Sequence, residues 1–131
     1  MKQYSPILFA LLIIFTGCKK STSTNSKNNP DGDWMVSIYS GTHCLAPAAS
    51  KLVTVANGQF NATIVTWGSS TMKIQGTITM GNIYFIVSGN ETITGSSCNG
   101  TNGFYDYIDP SGSPVTGTVT SNWGTLKFVK Q

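Results

Sequence analysis

From residue 33 onward the apolar residues recur at every second position, and that period confines the chain to β-structure. Met72, Ile74, Gly76, Ile78 and Met80 line one side of a run whose other side is Lys73, Gln75, Thr77 and Thr79. Successive side chains of a strand point to opposite faces, so such a run has one buried and one wetted face. Trp34, Val36 and Ile38 alternate with Met35, Ser37 and Tyr39, and Phe60, Ala62 and Ile64 form a further face. Ile83, Phe85 and Val87 continue the pattern, followed by Val115, Gly117 and Val119, and then by Leu126 and Phe128. Valine and threonine are dense throughout, and both suit a pleated, half-buried surface. No segment offers a capped helical stripe.

Turn residues punctuate these runs. Asn57-Gly58 is a strong hairpin signal, because both positions tolerate positive φ. Gly81-Asn82, Ser88-Gly89-Asn90 and Asn122-Trp123-Gly124 read as further turns. Two stretches read as loops: Gly41 to Ser50, and the Gly/Ser/Asn-rich Ser96 to Pro114, which carries Phe104-Tyr105-Asp106-Tyr107. About eight short strands joined by tight turns predict an all-β domain built as an antiparallel meander. A meander hides its edges by closing into a barrel or folding into a β-sandwich. The expectation is a single small, closed or nearly closed barrel, with the sandwich as the alternative.

The chain opens differently. Lys2 precedes an apolar run from Ile7 to Phe15, too short for the roughly 20 residues that span a bilayer, and Thr16-Gly17-Cys18 follows. This arrangement resembles the signal peptide of bacterial lipoproteins. The resemblance implies removal of residues 1–17 and lipidation of Cys18, a palmitate-type anchor. Lysine rather than aspartate after the cysteine implies the outer membrane of the cell envelope. Lys19 to Asn29 contains no apolar residue, so it cannot offset its chain entropy by burial. The chain therefore divides into a signal (1–17), a lipidated cysteine with a disordered tether (18–32) and an all-β domain (33–131).

With Cys18 taken by lipid, Cys44 and Cys98 remain in an oxidising compartment, and a disulfide between them is expected. Charge narrows the partners. Four lysines belong to the signal or tether, and Lys51, Lys73, Lys127 and Lys130 face five acids in a domain without arginine. Nucleic acid requires a basic patch to neutralise phosphates, so that partner class is excluded.

Gly32-Asp33-Trp34 resembles the Gly-x-Trp signature of lipocalins and lipocalin-like lipoproteins, and Asp106-Tyr107 is similar to part of a second motif of that family. The resemblance implies an eight-stranded barrel plugged by Trp34 and open at its other end to a small apolar ligand. The family's arginine over the tryptophan is missing; Lys127 or Lys130 could cover the ring by cation–π contact.

Catalytic chemistry is not expected. His43 is the sole histidine and reads as a solvent-exposed loop residue, and beside a bridged Cys44 it makes a poor metal site. The acids Glu91, Asp106 and Asp109 give no spaced catalytic pair, the latter two preceding Pro110-Ser111-Gly112 as turn chemistry. No cofactor is expected. Trp67, Phe104, Tyr105, Tyr107 and Trp123 are the candidate ligand or partner contacts, since aromatics on loops of a rigid β scaffold commonly serve recognition. The functional expectation is a lipid-anchored envelope binding module, holding a small apolar ligand or an envelope protein. The alternative is a structural or protein-interaction lipoprotein with no small-molecule site.

Overall fold

The alternation resolves into eight strands in the computed structural model, which describes residues 28–95 and 98–131. They are β1 (Gly32–Gly41), β2 (Ser50–Val55), β3 (Gln59–Trp67), β4 (Ser70–Met80), β5 (Phe85–Thr94), β6 (Gly100–Ile108), β7 (Thr116–Ser121) and β8 (Gly124–Lys130). The signal, Cys18 and the tether as far as Lys27 lie outside the described residues.

Two four-stranded sheets form, in the orders β2-β1-β8-β7 and β3-β4-β5-β6, with every pairing antiparallel. Chain neighbours are therefore spatial neighbours, and β8 returns to pair with β1. The hydrogen-bonded ladder nevertheless stops at two seams, so the expected closed barrel is not formed. Between β2 and β3 only the Ala56–Gln59 bridge flanks the Asn57-Gly58 turn. Between β6 and β7 side chains take over from the ladder. Asp106 Oδ2 accepts from the Thr120 N–H at 3.3 Å, and Ile108 covers Gly117 so closely that a Cβ there would lie 2.5 Å from it. The short β2 and β7, six residues each, leave the nine-residue strands β3 and β6 without a matched ladder partner across the seams.

The inner faces meet in one core in a sandwich-like arrangement. The Trp34 ring on β1 meets Phe85 on β5 edge-on at 5.9 Å and Phe128 on β8 at 6.4 Å. Phe60 stands edge-on to Phe128 at 6.0 Å and stacks on Phe104 at 6.4 Å with an interplanar angle of 4°. That stack depends on glycine. Phe60, Gly76, Gly89 and Phe104 sit in one cross-strand row, and the two glycines leave the space in which the rings from β3 and β6 meet. A Cβ on Gly89 would fall 2.2 Å from the Gln75 carbonyl oxygen.

Two local readings are corrected by this packing. Ser88-Gly89-Asn90, expected as a turn, lies inside β5, and the Phe104–Tyr107 stretch, expected in a loop, is β6. Glycine signals a turn locally, but here its service is to a ring stack between strands.

Candidate functional site

Antiparallel order sorts the connections to two ends. One end holds Trp34, the Asn57-Gly58 turn and the last residues of the described tether. Asp31 accepts from the Gly58 N–H at 2.7 Å and the Asn57 N–H at 3.1 Å, fastening the chain's entry to the first hairpin. Trp34 is fully buried, and its Nε1 donates to the Pro30 carbonyl at 2.8 Å. Lys130 Nζ lies 5.8 Å from the Trp34 ring centroid, so of the two lysines considered it is Lys130 that covers the ring, while Lys127 stands over Tyr39. Burial pushes the Lys130 ammonium below the usual lysine range, with Asp31 opposing.

The other end gathers the loops after β1, β3, β5 and β7. Cys44 and Cys98 are bridged there, with Cα atoms 5.8 Å apart. The bridge closes a separation of 54 residues and removes that freedom from the unfolded chain. Replacing both cysteines by alanine is expected to lower the unfolding free energy by about 2–4 kcal/mol. Urea titration of the oxidised protein against the double variant measures the loss, and equal midpoints would refute it.

His43 departs from the expectation of an exposed loop residue: it is fully buried, as is Glu91. His43, Cys44 and Leu45 adopt left-handed backbone (φ 35°, 56° and 68°), costly for side-chain-bearing residues and held here by the bridge and the ring's partners. Gly124 makes the room, since a Cβ there would lie 2.6 Å from His43 Nε2. His43 Nδ1 lies 3.0 Å from Glu91 Oε2, and Nε2 lies 2.9 Å and 3.3 Å from the carbonyl oxygens of Ser40 and Thr125. Carbonyls only accept, so Nε2 carries a proton. Burial pushes the imidazole pKa down, but the hydrogen bond and charge of Glu91 and the two carbonyls outweigh it, and the net shift is upward. Nδ1 donates to Glu91 Oε2 whenever the ring is doubly protonated, and the upward shift widens the pH range in which it is.

Ser121 Oγ donates to Glu91 Oε1, completing a Ser–Glu–His chain. Its order is wrong for nucleophilic catalysis, which needs the hydroxyl on the histidine. The cluster ties β5, the β1–β2 loop and the end of β7 together. Among the other acids, Asp106 spans the β6–β7 seam, and Asp109 caps its own turn by accepting from the Ser111 N–H at 2.8 Å.

The aromatic candidates separate. Trp67 and Trp123 are half-buried at the disulfide end, packed on the core, and Phe104 is in the core itself. Tyr105 and Tyr107 point outward from β6, 59% and 56% exposed, because alternation sends Phe104 and Ile108 inward. Their rings meet edge-on at 5.5 Å, and Tyr107 also meets Tyr84 at 6.3 Å. A hydrogen bond with Tyr107 holds the Tyr105 hydroxyl above its usual range. With exposed Ile83 and the half-buried Ile86, Tyr84 and Tyr107 border a shallow depression of about 160 Å³. Tyr84 was not singled out from the sequence, and Ile83, expected on the inward face with Phe85 and Val87, instead precedes β5 and is exposed. The signal was present, since Phe85 inward requires Tyr84 outward. The chain shows no significant similarity to any family model, curated protein or solved structure.

Proposed function

We propose that this chain is a lipid-anchored binding module of the cell envelope, tethered through Cys18 and working through the outer face of its β3–β6 sheet. The observation that carries this reading is the exposed tyrosine cluster. Three rings, with Tyr107 in edge contact with both Tyr84 and Tyr105, present a fixed amphipathic surface on a domain of near-neutral charge. The inner space between the sheets is occupied by Trp34, Phe60, Phe85, Phe104 and Phe128, which favours the outer face over a lipocalin-type cup. Trp34 under Lys130 supports a lipocalin-like plug at the tethered end. The exit of residues 28–31 beside that plug supports an arrangement in which the disulfide end faces away from the anchor.

Two tests follow. Cys18→Ser is expected to abolish acylation and release the domain from the membrane fraction. A photoreactive phenylalanine analogue at position 105 or 107 of the full chain in cells is expected to give discrete adducts that the same analogue at Tyr39 does not. Adducts equal at the two places would remove the case for this face.

A further inference from the structure

The outer face of the β3–β6 sheet carries a second feature beside the tyrosines, and register alone defines it. Asn61, Gln75, Asn90 and Gly103 form one outward row across the four strands, and Gln59, Thr77, Ser88 and Tyr105 form the next. Between them runs the backbone of the inward row that contains Gly76 and Gly89. Two depressions lie along this line and meet at Gly89. One, of about 320 Å³, is bordered by Gln59, Asn61, Gln75 and Thr77; the other, of about 510 Å³, continues past Ser88, Gly103 and Tyr105 to Thr120 and Asn122 on the far side of the seam. Together they make a groove perpendicular to the strands.

We infer that this groove binds a neutral polysaccharide laid across the strands, with Tyr105 as the platform for one sugar ring. The inference rests on the binding-face reading above and names its ligand class. The walls are amides and hydroxyls, each able to pair with a sugar hydroxyl as donor or acceptor. Among the described residues no hydrogen bond occupies the side-chain amides of Gln59, Asn61, Gln75 or Asn90. Charge is sparse, for Lys73, one row away, is the single ionic side chain on the described outward rows from Thr63 to Thr79 of β3–β6. An anionic polymer therefore finds Lys73 alone as a counter-charge, at the border of the groove, and the chain has no arginine to add to it. Tyr105 offers an exposed ring whose face suits the C–H side of a pyranose, and its edge contact with Tyr107 holds it in place. Strands lie about 4.8 Å apart, close to the length of one pyranose unit, so successive sugars meet successive strands. A peptide would look for apolar sockets or a free strand edge, and this groove crosses the middle of a paired sheet.

The test is affinity electrophoresis of the full chain in nonionic detergent, in native gels containing mixed-linkage β-glucan, arabinoxylan, galactomannan or glycogen, with polygalacturonate as the anionic control. At least one neutral polymer is expected to retard the wild-type chain and Tyr39→Ala equally. Tyr105→Ala and Gln75→Ala, both at exposed positions, are expected to weaken that retardation about tenfold, the loss of one good contact. Gln75→Ala keeps the test decisive should the tyrosine variant fold poorly. Retardation by no neutral polymer, by polygalacturonate alone, or equally in the groove variants overturns the proposal. If protein adducts form at position 105 while no glycan retards the chain, the ligand class is wrong and the binding face stands. If adducts and retardation are both absent, both readings fall.

Discussion

Glu91→Gln is expected to lower the unfolding free energy by about 3–5 kcal/mol, because it leaves a buried imidazolium without its counter-charge. The glutamine is nearly the same shape, so no cavity confuses the result. Its amide oxygen can still accept from Ser121 or from His43, but it carries no charge. The pH dependence gives the sharper reading. His43 has its pKa raised in the folded protein, so the stability it contributes is fully present below about pH 6.5, the ordinary imidazole value, and is lost as pH rises through the folded value. Wild-type stability should therefore decline with rising pH on the alkaline side of 6.5. In Glu91→Gln that decline should flatten, since the carboxylate that raised the histidine is gone. Urea unfolding at a series of pH values measures both effects. A loss under about 1 kcal/mol, no larger than an exposed pair would give, would show that the ring is neutral in the fold.

Trp34→Ala is expected to cost about 3–5 kcal/mol, as removal of a large ring from a closed core does. The ring is wedged against Phe85 and Phe128, its Nε1 is bonded to Pro30, and Lys130 lies over it, so nothing nearby can collapse into the space without breaking a contact. Trp34→Phe should retain part of the packing while losing the Pro30 bond and should fall between wild type and alanine. Thermal melting of the three proteins provides the comparison. An unchanged melting temperature in Trp34→Ala would end the idea of a plug at the tethered end.

Legibility in the sequence followed the range of the forces involved. Strands such as β4 were readable because the two-residue period is a local consequence of burying one face, and the Asn57-Gly58 turn because its φ values are local. The Cys44–Cys98 bridge was readable by counting. What was lost depends on partners distant in the chain. His43 looked like an exposed loop residue because its carboxylate partner is 48 positions away. Gly89 looked like a turn because nothing near it announces that Phe60 and Phe104 need its missing side chain. The same holds for the barrel: the meander order was legible, whereas the two broken seams follow from strand lengths and from Ile108 lying over Gly117. Tyr105 and Tyr107 were singled out as loop residues, whereas they are the outward half of a strand.

The pairing of β1 with β8 sets an order of assembly. The β3–β6 sheet consists wholly of sequence-adjacent hairpins, each closing a short loop, and needs nothing outside residues 59–108 to complete its ladder. The other sheet has β1 and β8 at its centre, separated by nearly the whole domain, and such long-range closure is slow. A chain emerging N-terminus first must therefore hold Trp34 and Val36 without their β8 partner until the final strand arrives. During that interval the first hairpin is a sticky, half-made edge, exposed to pairing with other chains.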